Sequence, residues 1–271
     1  YKKGAREDIR NWRPISLLNT DYKILSKILA ERLKKVLPEI INSDQRGGVK
    51  GRLIGENIRL IEDILYEIEN LEDDAVIFLQ DQEKAFDRVE HDWLFSCLKH
   101  FNFGDKYITW LSTLYKYSKN SIITNGVQSG YFRVTRGIRQ GDSLSALLYI
   151  VQLEPLAEKI RKSNDIKGVN IKLKNMNDEI MEIKCCQYVD DSNTFLHNKT
   201  GIDKLLYILS QYESVSGSKI NLDKTLALAL KSNEGEIVNH IKLTKGPEKV
   251  LGVPIGGPNF SPFLRVFANS S

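Results

Sequence analysis

The chain has 271 residues, 41% of them hydrophobic and 27% charged, enough for one large domain or two small ones with a sizeable core. No apolar run approaches the ~18 residues of a membrane-spanning helix, and no signal peptide opens the sequence. The net charge is +4, but residues 1–60 hold fourteen Lys/Arg against seven Asp/Glu, leaving the remainder slightly acidic; a basic first quarter fits either a polyanionic partner or a solvated surface.

The three cysteines (Cys97, Cys185 and Cys186) form no CxxC pair, and the four histidines lack ligand spacing, which argues against zinc and for a reducing, intracellular setting. Because the first residue is Tyr1 and the sequence ends abruptly, a piece of a longer protein is expected.

In chain order, residues 21–37 fit a helix with Leu25, Leu29, Leu33 and Val36 on one face, Asn19 or Thr20 as its cap and Pro38 marking its end. Residues 53–69 fit a second, through Ile54, Ile58, Ile61, Ile64 or Leu65, and Ile68. AVIFLQD (75–81) reads as a buried strand. Residues 92–100 and 105–117 are expected to be helical, and SIITNGVQSGYFRVT (121–135) to be a hairpin turning at Asn125-Gly126. A helix over 143–161 follows, with Pro155 as a kink site. Next come two strands around a polar loop, a strand reaching QYVDD, and a return strand in NTFLH. A helix over 201–215 and extended runs at 225–230 and 249–255 complete an α+β pattern.

CCQYVDDSNTF (185–195) sets Asp190 beside Asp191 in an otherwise apolar run. Adjacent carboxylates repel, yet the tip of a hairpin can hold both, and a divalent cation between them relieves the repulsion. Asp81 ends another apolar strand. If the two strands are neighbours, the three carboxylates suit a pair of hard cations and phosphoryl transfer. The rival explanation of a lone Asp-Asp is a surface turn.

The company of these acids decides between the two. The segments NWRPISLLNTDYKILSKILAERL (11–33), QRGGVKGR (45–52), DQEKAFDRVEH (81–91), RGIRQGDSLSALLY (136–149), QYVDD (187–191), SGSKINLDKT (216–225) and LGVPIG (251–256) occur in an order that resembles the reverse transcriptase domain of non-LTR (LINE-type) retrotransposons, from about residue 2 to about residue 256. The resemblance implies a right-hand polymerase: residues 1–75 mostly fingers, 76–256 mostly palm (an antiparallel sheet packed on helices) with returning finger elements, and 257–271 an irregular tail or the start of a truncated thumb, the thumb itself being missing. It implies an RNA-directed DNA polymerase using two Mg²⁺ ions, or Mn²⁺, with an RNA template, a DNA primer and dNTPs as partners. The parent element would form a ribonucleoprotein with its own RNA, in nucleus and cytoplasm and without a membrane; the resemblance leaves the oligomeric state open. The alternative is a catalytically silent, degenerate fragment that only binds nucleic acid.

Residue by residue, the resemblance makes Asp81, Asp190 and Asp191 the catalytic acids, with the backbone carbonyl of Gln82 as a further metal ligand. Phe86 matches the ring that crowds the sugar 2′ position; packing in the core is its other reading. Arg13 matches a triphosphate-gripping arginine, and Gln140 and Gly141 a loop against nucleotide and template base. Lys224 matches a lysine near the departing pyrophosphate, with Lys219 as a rival. Lys23, Lys27 and Arg32 either touch template or phosphate or form a solvated face. Arg136 and Arg139 either touch template or structure their loop. Tyr188 belongs to the motif of the acids, and Gly252 to a hairpin gripping the primer end. Lys84, Asp87 and His91 are read as structural.

Several positions depart from the family pattern. Gly48 stands where an aromatic is usual, a loss worth ~3–5 kcal/mol if a core ring is truncated. Ser143 and Ala146 replace two prolines, which is expected to loosen the following helix. Val189 replaces the more usual alanine between Tyr188 and Asp190.

Overall fold

The computed structural model describes residues 5–8, 11–12, 15–70, 74–172, 180–232 and 235–256. The basic segment folds first into α1 (Thr20–Ile40), whose buried face carries Ser26, Leu29, Ala30, Leu33 and Leu37 at helical spacing. Pro38 does not end it. The helix runs on to Ile40, because a proline in the last turn forfeits only one bond of the ladder. α2 (Ile54–Asn70) buries Ile61, Ile64, Leu65 and Ile68.

Then come β1 (Val76–Gln80) and three helices: the single turn α3 (Ala85–Arg88), α4 (His91–His100) and α5 (Asp105–Lys116). Next, β2 (Lys119–Asn120), β3 (Ile123–Thr124), β4 (Val127–Gln128) and β5 (Phe132–Arg133) make two nested antiparallel pairs, β2 with β5 and β3 with β4. The inner pair turns at Asn125 (φ 50°) and Gly126 (φ 80°), as the Asn-Gly signal predicts. α6 (Ser145–Lys162) passes through Pro155 unbroken. At its start, beside Ser143 and Ala146, the Ser145 hydroxyl donates to the Arg139 carbonyl at 2.5 Å, and the Ser145 N–H to the Asp142 carbonyl at 3.2 Å.

The second half contributes β6 (Val169–Lys172), β7 (Ile180–Ile183), β8 (Cys185–Tyr188), β9 (Asp191–Leu196) and α7 (Gly201–Ser216). It closes with β10 (Leu226–Leu228), β11 (Ile237–Val238), β12 (Ile241–Thr244), β13 (Glu248–Val250) and β14 (Val253–Ile255). Among the described residues the main sheet has the order β11-β12-β10-β1-β9-β8. Its pairs are antiparallel except β10 with β12, which is parallel, so the expected antiparallel sheet is a mixed one.

Alternate residues of this sheet feed two cores. Val76, Phe78, Cys185, Leu196 and Ala227 join the larger one, with α1 and α4 to α7. Ile77, Cys186, Phe195 and Leu228 face the other, with α2, β6 and β13–β14. The period-2 alternation of a strand thus sends the neighbouring Cys185 and Cys186 to opposite faces, where both thiols are free and buried. Each fully buried Leu, Ile or Phe contributes roughly 1.5–3 kcal/mol.

Candidate active site

The sheet brings the acids to one end. β1 and β9 pair with Gln80 opposite Ser192. One further step along that register sets Asp81 level with Asp191, on strands that in a sheet lie about 4.8 Å apart. β8 and β9 pair with Tyr188 opposite Asp191, so Val189 and Asp190 form a two-residue turn. Val189 takes φ 57° there. For a β-branched residue this left-handed conformation costs on the order of 1–2 kcal/mol, so the turn needs support from outside itself.

The charges register this proximity. The Asp191 side chain keeps solvent on one side, but neighbouring atoms crowd its carboxyl. Its pKa is pushed up to about 6, first by desolvation and then by the charges of Asp190 and Asp81. Asp81 is offset by Lys224, whose Nζ stands 3.6 Å from Oδ2. Among the described residues no three His, Cys, Asp or Glu side chains are drawn tightly enough together to hold an ion. The donor set nevertheless fits a hard divalent cation: carboxylate oxygens, mutually repelling, at one sheet end. A bridge pairs Gln82 with Ile220, through Glu83 N–H to the Lys219 carbonyl (2.8 Å) and Asn221 N–H to the Asp81 carbonyl (2.9 Å). That pattern does not spend the Gln82 carbonyl, which by strand alternation points toward the β9 side.

Phe86 lies on α3 directly beyond β1, half-buried, with its ring stacked on that of Tyr149 at 4.9 Å. Tyr149 is wholly buried in α6, and its hydroxyl donates to Gln82 Oε1 at 2.6 Å. The segment carrying Gln140 and Gly141 is stitched to the same turn: Ile138 N–H donates to the Phe86 carbonyl (2.8 Å) and Gly137 N–H to the Val89 carbonyl (2.7 Å). Gln140 Nε2 approaches Asp87 Oδ1 at 3.5 Å. A cavity of about 200 Å³ opens here, lined by Ser16, Asp87, His91, Arg136, Arg139 and Gln140 among others. A larger one, about 830 Å³, lies between α6 and α7 and touches none of the acids.

The remaining candidates sort by contact. Arg139 stacks its guanidinium over Tyr22 (4.4 Å) and Tyr115 (5.6 Å) and donates to the Leu114 carbonyl, which is loop structure. Arg136 is exposed and pairs with Glu90 at 3.7 Å. Lys23 and Lys27 project from the exposed face of α1. Tyr188 ends β8 beside the turn. Lys219, the rival of Lys224, pairs with Glu83 at 3.7 Å. Gly252 (φ 84°) and Leu251 (φ 50°) form the two-residue turn between β13 and β14, so a hairpin does stand where one was expected. Lys84 caps α3 by its backbone carbonyl, and His91 Nε2 lies 2.8 Å from the Gly137 carbonyl, both structural as read. Arg13 and residues 257–271 lie outside the described residues.

The Gly48 departure leaves no hole. Gly48 has φ 69°, and a Cβ there would meet Ile150 Cδ1 at 2.7 Å. Ile150 already fills the space, so the expected loss of packing is not found.

Sequence reasoning missed Gln45 and Tyr149. Gln45 is almost wholly buried, and its carboxamide grips the backbone of Val189. Tyr149 looks from sequence like one more apolar position of a helix. Both residues stand inside segments that carry the family resemblance, Gln45 opening QRGGVKGR and Tyr149 closing RGIRQGDSLSALLY, but neither segment tells what its side chain touches.

A mixed sheet with paired acids at a hairpin tip and helices packed on both its faces fits the palm of a nucleic-acid polymerase with part of its fingers. Residues 1–255 match the family Reverse transcriptase (RNA-dependent DNA polymerase), and the chain belongs to it. It is 34% identical over 227 residues to the transposon TX1 149 kDa protein of Xenopus laevis, covering 84% of this chain and 17% of that protein. It is 25% identical to the Pol polyprotein of the type-2 retrotransposable element R2DM of Drosophila melanogaster, covering 82% and 20%. The chain therefore spans about a fifth of these relatives. Telomerase structures from Candida tropicalis (TM-score 0.53, 79% of this chain and 34% of that one) and Candida albicans (0.51, 79% and 35%) share the fold at 14% identity.

Proposed function

We propose that this chain is the fingers-and-palm part of an RNA-directed DNA polymerase of a LINE-like retrotransposon, extending a DNA primer on an RNA template. The observation that carries the reading is the register of β1, β9 and β8, which sets Asp81 beside the Asp190–Asp191 turn. Asp81, Asp190, Asp191 and the Gln82 carbonyl would hold divalent ions. A bound pair of Mg²⁺ (or Mn²⁺) would lower the pKa of the primer 3′-hydroxyl and neutralise charge on the leaving phosphates.

The chain's own groups do the rest. The primer 3′-hydroxyl gives up its proton to solvent, its oxygen forms a bond to the α-phosphorus, and the α–β phosphate bond breaks so that pyrophosphate leaves. Lys224, 3.6 Å from Asp81, would follow that leaving charge and give it a proton. Phe86, backed by Tyr149, would exclude a 2′-hydroxyl. Gln140 and the exposed backbone at Gly141 would contact sugar or base. Lys23, Lys27 and Arg136, all exposed, would meet phosphates.

The test is primer extension on an RNA template by this chain and by Asp190→Asn, in Mg²⁺. The variant is expected to lose at least 10²-fold in rate. Equal rates for the two would leave the silent, nucleic-acid-binding chain as the better account.

A further inference from the structure

We propose that Gln45 is a positioning residue for the catalytic turn: its side chain locks the backbone of Val189, and so fixes where Asp190 and Asp191 present their carboxylates to divalent ions. The proposal rests on the reading of those acids given above and adds a residue outside the acid set.

Gln45 Oε1 accepts from the Val189 N–H at 2.9 Å and from the Gly47 N–H at 2.9 Å, while its Nε2 donates to the Val189 carbonyl at 3.2 Å. One carboxamide thus takes both backbone groups of the residue that precedes the acids. Those two groups sit at the turn, beyond the last paired residues of β8 and β9, so the hairpin ladder does not fix them. Val189 is also the residue held at φ 57°, a conformation the local chain would leave if released.

The clamp has a footing. Gln45 bridges Gln187 in parallel, with Gln187 N–H donating to the Asp44 carbonyl (2.8 Å) and Arg46 N–H to the Gln187 carbonyl (2.9 Å). Residues 44–47 thereby lie as a strap along the outer edge of β8. Arg52 holds the strap from behind through the carbonyls of Ile41 (2.8 Å) and Gln45 (2.6 Å), and Asn57 of α2 donates to the Gln187 carbonyl at 2.9 Å. Gly47 completes the fit: a Cβ there would stand 2.5 Å from the Val189 nitrogen, so only glycine lets strap and turn approach this closely. A glutamine buried only for packing would need one partner per polar atom. This one spends both ends on a single residue, next to the acids.

The experiment measures Mn²⁺ binding to the full 271-residue chain by paramagnetic resonance, and amide exchange at Val189, for wild type, Gln45→Met and Leu209→Ala. Gln45→Met keeps length and burial and loses all three side-chain bonds, two to Val189 and one from the Gly47 N–H; Leu209→Ala opens the core at α7 as a control for general loosening. Gln45→Met is expected to weaken Mn²⁺ binding about tenfold and to speed Val189 exchange, with the Leu209→Ala affinity as in wild type. In primer extension the half-activating Mg²⁺ concentration is expected to rise with the KM for dNTP unchanged. Gln45→Asn, whose shortened amide cannot span both Val189 groups, carries the same expectation should Gln45→Met not fold. A wild-type Mn²⁺ affinity in the clamp variant overturns the proposal and leaves the polymerase reading standing. An equal loss in Leu209→Ala overturns it too. If wild type binds no Mn²⁺ and extends primers no better than Asp190→Asn, the proposal falls together with the reading beneath it.

Discussion

On the function proposed above, Phe86 would exclude a ribonucleotide only if its ring cannot yield, and what backs the ring is Tyr149, stacked on it at 4.9 Å and 23°. Replacing Tyr149 by Leu removes that backing, and replacing it by Phe keeps the ring but drops the 2.6 Å bond to Gln82. A stacked aromatic pair is worth about 0.5–1.5 kcal/mol beyond its area. If that energy opposes the displacement a 2′-hydroxyl demands, its loss lowers discrimination by about 2- to 12-fold, since ~1.4 kcal/mol is a factor of ten. The assay is single-nucleotide extension on an RNA template, read as the ratio of kcat/KM for dNTP over rNTP. Tyr149→Leu is expected to reduce the ratio within that range, Phe86→Ala to reduce it further, and Tyr149→Phe to preserve it while costing about 1 kcal/mol in stability. A wild-type ratio in Tyr149→Leu, alongside a collapsed one in Phe86→Ala, would refute the backing argument. An equal loss in Tyr149→Phe and Tyr149→Leu would show that the bond to Gln82, and not the stack, matters.

Two further outcomes are expected. Restoring an aromatic at position 48 will destabilise the protein by about 2–4 kcal/mol in urea unfolding, because the backbone is left-handed there and Ile150 already occupies the space; a stabilised Gly48→Phe would contradict this packing. Burial, and then Asp44, lift the Glu154 pKa from 4.5 to about 7 against the opposing pull of Arg161, to which it is ion-paired. The native state therefore holds this proton more tightly than the unfolded chain, and stability is lost as pH rises from about 4.5 through 7. Glu154→Gln should flatten that slope by up to about 3 kcal/mol in melts taken across the window, whereas an unchanged slope would assign it to other groups.

Helices with long periodic faces were legible from sequence, as α1, α2 and α7 show, because burial of a stripe is a local pattern. So was the hairpin at Asn125-Gly126, whose turn chemistry is written in two residues. The acids could be named because their motifs are contiguous and resemble a family. α3 escaped because four residues carry no period. β11 and β12 escaped because short strands owe their existence to partners: β12 pairs in parallel with β10, more than ten residues upstream. Pro38 misled because its cost depends on how much helix follows. Gln45 and Tyr149 stood inside quoted motifs, but their contacts were not legible for a shared reason, since each touches a residue far away in the chain, at 189 and at 82 and 86.

The strand that leads into Asp81 is gripped from above and below by two separate hydrophobic masses, like a blade set between two blocks. Such a strand does not loosen by degrees. Its amides are expected to be shielded from exchange until the molecule as a whole comes apart. The aim of that one carboxylate is therefore an all-or-none property of the fold, while Asp190 across from it rides on a two-residue turn and Asp191 on the first residue of the return strand.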